Sequence, residues 1–373
     1  MQLNEILKAA VDRGASDVHL SPLTPPIIRF NTRLIELNDT VLEKEELEQM
    51  ALEILGDKAH RVFMVEGEID TSYRIEDVGN FRVNIYRHQG MVAIAARIIQ
   101  TKIPDLDYLG LPVTVASLAR YSSGLILITG PTGNGKSTTM ATMIDIINSE
   151  RACHIVTLED PIEYIHQNKK SYITQREIGM DSKDFAQALR AALRQDPDVI
   201  MIGELRDLET ISTAITAAET GHLVLATLHT INAAQTVERM IDVFPSTHQQ
   251  QIRVQLANCL RAVISQRLLP NITNERMVVA TELMICTNAI RNLIRDGKYH
   301  QIPNAIFTGS QFGMLTMEMS LQYLIDQQMI DAGFLQHEKG DNIPTLETLS
   351  YGSVPMVRSA VSNALKSSLV LLP

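Results

Sequence analysis

The sequence predicts an α/β protein in which a small α+β domain precedes a larger domain built on a phosphate-loop core. Three observations predict it. The octapeptide Gly130-Pro131-Thr132-Gly133-Asn134-Gly135-Lys136-Ser137 fits the pattern GxxxxGK[ST] at every fixed position. It lies between an apolar run, Leu125 to Ile128, and a helical pattern that puts Met140, Met143, Ile144 and Ile147 on one face. Second, His154 to Leu158, Asp198 to Ile202 and Leu223 to Thr227 are short apolar runs ending in polar or charged residues, with helical stretches at Ser182 to Arg194 and Asp207 to Thr220 between them. Such runs read as buried parallel strands carrying functional groups at their carboxyl ends. Third, β-rich stretches at Asp70 to Ile75, Phe81 to Tyr86 and Met91 to Ile99 follow an amphipathic pattern over residues 41–63 that is interrupted near Gly56.

Strand, glycine loop and helix in that order are what phosphate binding needs. Glycines let the loop backbone aim successive N–H groups at phosphate oxygens, and the helix that begins near Lys136 adds the positive end of its dipole. The candidate nucleotide-binding residues are therefore Gly133, Asn134, Gly135, Lys136, Ser137 and Thr138. Lys136 reaches the β- and γ-phosphates of ATP or GTP, and the Ser137 hydroxyl ligates Mg²⁺.

In chain order, Leu3, Ile6, Leu7 and Ala10 define a first helix that Gly14 stops, and two short strands, Ser16 to Leu20 and Ile27 to Phe30, flank Pro25-Pro26. Residues 1–100 form the small domain with an antiparallel sheet. Residues 101–112, TKIPDLDYLGLP, read as a linker or hinge, and residues 113–338 as the phosphate-loop domain with C-terminal helices. Within that domain, residues 247–266, 288–296 and 314–328 look mainly helical. The stretch 339–373 reads as a peripheral tail with a weak amphipathic helix from Met356 to Val370.

Hydrolysis needs an acid to order the metal ion and a carboxylate to orient the attacking water. Two strand ends offer them: Leu158-Glu159-Asp160-Pro161-Ile162-Glu163, and the apolar strand that terminates in Gly203-Glu204, the form of a Walker B element. His222 enters and His229 leaves a third strand, so the two imidazoles are placed to meet a phosphate or a neighbouring subunit. Arg190, Arg194 and Arg206 have salt bridging to nearby acids as their plain alternative.

Composition narrows the classes. With 45% hydrophobic and 20% charged residues in 373, the chain reads as a soluble globular protein long enough for two domains. A net charge of −10, 5% aromatic residues and no Trp argue against nucleic acid as partner. Cys153, Cys259 and Cys286 are scattered without a CxxC pair, which predicts a reduced cytoplasmic setting and no zinc site. No signal peptide and no window of 18 uncharged apolar residues is found, so any membrane association is expected through a partner rather than by direct insertion.

Taken together, the phosphate loop GPTGNGKST, the acidic box TLEDPIEY, the segment ITQREIG, the run DPDVIMIGELRDLET and the histidine box TGHLVLATLHT resemble the blocks of the type II and type IV secretion ATPases. The N-terminal GASDVHL and Ala289-Ile290-Arg291-Asn292-Leu293-Ile294-Arg295 are similar to the pilus-retraction branch, and no four-cysteine cluster of the extension motors is present. The resemblance covers roughly residues 1–330. It implies a PAS-like N-terminal domain, a RecA-like ATPase domain and a homo-hexamer with ATP between the two domains. By the same resemblance Glu163 is the catalytic carboxylate and Glu204 the Walker B acid that helps hold Mg²⁺. His222 and His229 sense the γ-phosphate and the interface, and Arg82 and Arg97 reach the phosphates from the N-terminal domain, with Arg87 as a competing candidate. It implies ATP-driven type IV pilus retraction from the cytoplasmic face of the inner membrane, an inner-membrane pilus platform protein (PilC-like) as partner, and an accessory paralogous ATPase. The alternatives are the ATPase of a related secretion machine and a weakly catalytic nucleotide-binding factor. Two departures stand out: Asn134 occupies a loop position where most relatives have Ser, and the tail beyond about residue 338 has no counterpart.

Overall fold

The structure of the chain is a computed structural model that describes residues 2–338, apart from 31–32, 77, 100–102 and 274–275. The expected tail, with its helix from Met356 to Val370, and the first residues of the expected linker lie outside the described residues. The chain divides into two compact units, one of Met1–Lys102 with Glu163–Ile165, the other of Ile103–Ile162 with His166–Pro373.

In the first unit β1 (Asp17–Leu20), β2 (Ile27–Phe30), β3 (Arg33–Glu36), β4 (Glu68–Ile75), β5 (Gly79–His88) and β6 (Met91–Ile99) form one antiparallel sheet in the order β3-β2-β1-β6-β5-β4. Period-two alternation gives it one apolar face. Val18, Leu20, Ile28, Phe81, Val83, Ile85, Ile94 and Ala96 are buried, packed with Leu3, Ile6 and Leu7 of the helix Leu3–Asp12 and Leu47, Met50 and Phe63 of the helix Lys44–Glu66. That second helix is broken at Gly56, whose backbone is left-handed (φ 64°), as the interrupted pattern predicts. Intervening residues such as Asp17, His19, Arg82, Asn84 and Arg97 fall on the opposite face.

In the second unit β7 (Gly124–Thr129), β8 (His154–Glu159), β9 (Tyr172–Glu177), β10 (Val199–Ile202), β11 (Leu223–Leu228), β12 (Leu260–Pro270) and β13 (Met277–Ile285) form a sheet in the order β13-β12-β7-β11-β10-β8-β9. All neighbours are parallel except β12 and β13. Both faces are covered. Leu125, Leu127, Ile200 and Val224 pack against helices that include Phe185–Ala192, Leu208–Glu219 and Ser246–Cys259. Ile126, Ile128, Met201 and Leu225 pack against Lys136–Glu150 and Thr114–Ala119. Strands buried on both faces need apolar residues at every position, which is why β7, β10 and β11 read as unbroken apolar runs. The α+β and α/β expectations hold.

One element differs from expectation. Residues 247–266 do not form one helix: Ser246–Cys259 is helical, and the chain passes directly into β12 at Leu260. Leu260, Ala262, Val263 and Ile264 are fully buried beside β7, so insertion into the sheet overrides a run whose spacing also suits a helix. The strands β3 and β13 and the helix Ile302–Thr308 also lie in stretches without a clear pattern of their own.

Candidate active site

The parallel strands β7, β11, β10 and β8 end on one edge of the sheet, and most of the predicted chemistry is gathered there. The phosphate loop follows β7. Gly133 and Gly135 adopt left-handed backbone (φ 81° and 77°), which a side chain disfavours, and the helix Lys136–Glu150 starts immediately after them. Its first N–H groups have no intrahelical acceptor, and they lie at the positive end of a fifteen-residue helix. The Lys136 ammonium is buried in the loop and donates to the Gly130 carbonyl at 2.7 Å and to the Pro131 carbonyl at 3.0 Å. Ser137 and Thr138, in the first helical turn, are half-buried.

Asn134 does more than occupy a free position. Its Oδ1 accepts from the Leu268 backbone N–H at 2.6 Å, and its Nδ2 donates to the carbonyls of Pro131 at 3.2 Å and Thr132 at 3.4 Å. The loop is thereby tied to β12. Gln266 of the same strand donates to the Thr139 hydroxyl at 2.9 Å, and Thr129 donates to the Ser265 hydroxyl at 2.9 Å. Because residues up to 266 read as helical in the sequence, this supporting strand was missed.

Glu204 lies two residues beyond β10, its side chain mostly buried. Thr227 of β11 anchors the segment from both sides: its carbonyl accepts from the Leu205 N–H at 2.9 Å and its hydroxyl donates to the Gly203 carbonyl. One oxygen of Glu204 pairs with Arg206 and the other faces Nε2 of His229 at 3.4 Å. The hydrogen bond to Glu204 pushes the Arg206 guanidinium further above its ordinary range. Arg206 thus belongs to this edge, whereas Arg190 pairs with Glu209 on the outside of the helical layer.

The acidic box divides. Glu159, the last residue of β8, is buried and accepts from the Thr157 hydroxyl at 2.6 Å and from Nε2 of Gln175 at 3.1 Å. Glu163 is exposed, four residues further on. The ITQREIG segment accounts for this arrangement. From β9, Gln175 holds Glu159 and accepts from the His166 N–H at 2.8 Å, while Glu177 accepts from the Ile162 N–H at 3.2 Å. Glu159 is a site-edge carboxylate that the sequence displayed among three acids without distinguishing it; the signal was its position as the final residue of an apolar strand.

His222 is not brought to this edge. It precedes β11, where its carbonyl accepts from the Gly124 N–H at 3.0 Å, and its Nδ1 lies 3.0 Å from the Ala217 carbonyl. The six residues of β11 lie between it and His229, so seven steps at ~3.3 Å per strand residue separate the two by roughly 23 Å. Arg82 and Arg97 lie in the first unit, directly opposite each other on β5 and β6. Arg87 of β5 instead lies 5.4 Å over the Phe63 ring and donates to the Gly90 carbonyl at 3.2 Å.

A hard cation fits the shared edge chemically. Mg²⁺ takes oxygen ligands and commonly only one or two from protein, the remainder from phosphate and water, and the Ser137 hydroxyl and the Glu204 carboxylate are donors of that kind.

The comparisons agree with this architecture. The family described as Type II/IV secretion system protein matches residues 1–303. The type IV pilus retractation ATPase PilT of Pseudomonas aeruginosa is 43% identical over 330 residues, 88% of this chain and 96% of that protein. A twitching motility protein of Neisseria gonorrhoeae is 44% identical over 305 residues, 82% of each chain. Among solved structures, the pilus retraction motor PilT with bound ADP superposes with a TM-score of 0.83 at 45% identity, covering 89% of this chain and 95% of that one. With the family pattern spanning both units, the chain belongs to the type II/IV secretion system protein family.

Proposed function

We propose that this chain is an ATP-hydrolysing motor that drives type IV pilus retraction. The observation that carries the reading is a complete phosphate loop sharing one sheet edge with Glu204 and His229, in a chain 43% identical to a pilus retractation ATPase over 96% of that relative. ATP binds through Lys136, the loop backbone from Gly133 to Gly135, and Ser137 and Thr138. Ser137 and Glu204 hold Mg²⁺, in part through water, and the ion when bound neutralises charge on the β- and γ-phosphates.

Glu163 orients the attacking water, and buried Glu159 fixes the β8 end from which Glu163 is presented. His229 shares Glu204 and reports the γ-phosphate. His222, on the opposite edge, acts on a neighbouring subunit rather than on its own nucleotide. Arg82 and Arg97 deliver positive charge to the phosphates as the ring closes, which favours the transition state because charge develops on those oxygens. The assembly is a homo-hexamer in which 1–100 is the PAS-like domain, 101–112 the hinge, 113–338 the RecA-like domain and 339–373 a peripheral tail. No helix of the described residues is long and apolar enough to cross a membrane. In this reading the motor works at the cytoplasmic face through the inner-membrane platform protein, with an accessory paralogue as a further partner.

Steady-state ATP hydrolysis, with assembly state measured on the same samples, tests the enzymatic core. The wild type is expected to turn over ATP as a hexamer. Lys136→Ala and Glu204→Ala are expected to assemble but lose turnover by about 100-fold or more, a barrier change of at least ~2.7 kcal/mol. Wild-type turnover no faster than that of both variants would overturn the reading.

A further inference from the structure

The open face of the first unit's sheet carries a charge row that its strand register builds. Arg29 on β2 lies opposite Asp17 on β1, Asp17 opposite Arg97 on β6, Arg97 opposite Arg82 on β5, and Arg82 opposite Ser72 on β4. Period two places all five side chains on one face. The row holds three guanidinium groups and one carboxylate. Two like charges directly opposite each other destabilise a sheet, and Arg82 and Arg97 stand in that relation. Beside them is a cavity of about 290 Å³ lined by Asp17, His19, Asp70, Arg82, Asn84 and Arg97.

The two arginines are not equivalent. Nε of Arg97 donates to Oδ1 of Asp17 at 2.9 Å. No other hydrogen bond of its guanidinium is found among the described residues, so both terminal amino groups remain available. Arg82 has no hydrogen-bond or ion-pair partner among the described residues. Asp17 is itself fixed: its Oδ2 accepts from the Ser16 hydroxyl at 2.8 Å and lies 3.8 Å from Nε of Arg29. Partial burial opposes its ionisation, but the Ser16 hydroxyl and the Arg97 guanidinium prevail and hold the carboxyl below its ordinary range.

We propose that Asp17 is a positioning residue for Arg97: it takes the Nε–H edge of the guanidinium and leaves the terminal fork to grip the phosphate chain of a nucleotide. The proposal rests on the reading of Arg97 as a phosphate-contacting residue. A fork of two N–H groups matches two phosphate oxygens, and a side chain already held by its Nε edge loses less freedom when it engages them. As a salt bridge alone the pair contributes little, because the Arg97 side chain is 68% exposed. Its consequence is orientation. The GASDVHL segment therefore acts through Asp17, while Arg82, directly opposite Arg97 and unheld, supplies charge without a fixed direction.

The test is a double-mutant cycle in the full-length protein: Arg97→Ala, Asp17→Ala, Asp17→Asn and Asp17→Ala/Arg97→Ala. The readouts are kcat and KM for ATP, affinity for a non-hydrolysable ATP analogue, and Tm. Arg97→Ala is expected to lower kcat/KM by about 100-fold and Asp17→Ala by about ten-fold, chiefly through kcat, with Tm nearly unchanged. Asp17→Asn keeps an acceptor for the Nε–H and falls between wild type and Asp17→Ala. In the Arg97→Ala background, Asp17→Ala is expected to cost nothing further, because the group it orients is gone.

An equal additional loss in that background, or a Tm drop of the same size in both backgrounds, would make Asp17 a structural residue and overturn the proposal. So would unchanged turnover in Asp17→Ala alongside a deficient Arg97→Ala. If Arg97→Ala itself matches wild type in turnover and analogue affinity, the reading of Arg97 fails and the proposal with it.

Discussion

Asn134 shows how much one side chain decides in a loop built mostly of backbone. Its amide receives the Leu268 N–H and spans two loop carbonyls, so it fixes the curvature of the segment that cradles phosphate. A single hydrogen bond contributes about 0.5–1.5 kcal/mol net, and three are removed together in Asn134→Ala. We expect nucleotide affinity to fall by about ten-fold with little change in Tm, measured by titration with a fluorescent ATP analogue. Unchanged affinity would mean that the glycines alone set the loop. His166 makes a different prediction. Burial depresses its imidazole to about 4, and its Nδ1 is buried without a hydrogen-bond partner among the described residues. The unfolded chain, titrating near 6.5, binds the proton more readily. Stability is therefore full above about pH 6.5 and falls as the pH drops toward 4, by at most about 3 kcal/mol. Denaturant unfolding at several pH values should show this slope, and His166→Gln should lose it.

At the scale of elements, legibility followed burial. The phosphate loop was legible because a six-residue strand buried throughout, three glycines and an amphipathic helix each leave a local signature. Glu204 was legible as the acid that ends an apolar run, and the row of strand ends followed from the alternation of strands and helices. β12 was not legible: Leu260 to Gln266 combines Leu, Ala, Val and Ile in a spacing that suits either state, and only its place beside β7 decides. With β12 went the supports it provides, the contacts of Gln266 to Thr139 and of Leu268 to Asn134. His222 is a different case. The sequence places it at the entry of a strand that His229 leaves, and the six residues of β11 carry those two ends to opposite edges of the sheet. Because β12 is core on both faces, Ile264→Ala should destabilise the second unit by about 2–5 kcal/mol, read as a shift in the denaturant midpoint. A loss under about 1 kcal/mol would argue against its central placement.

For the molecule as a whole, two charged groups of residues stand on two separate sheets. The phosphate loop, Glu159 and Glu204 stand at strand ends of a sheet buried on both faces, which holds them still. The arginine row stands on the open face of a second sheet. On the function proposed above, ATP does work because binding and hydrolysis favour different conformations of the protein. Pilus retraction is work in one direction, and the cell shows that direction. The measurement that tests it most directly is pilus number and surface motility in the bacterium that carries this gene, compared among wild type, a deletion, and the deletion complemented with wild-type or Lys136→Ala protein. A retraction motor predicts abundant surface pili and lost twitching in the deletion, with reversal by the wild-type protein and none by Lys136→Ala. A deletion that removes pili, or that leaves both piliation and motility unchanged, would contradict it.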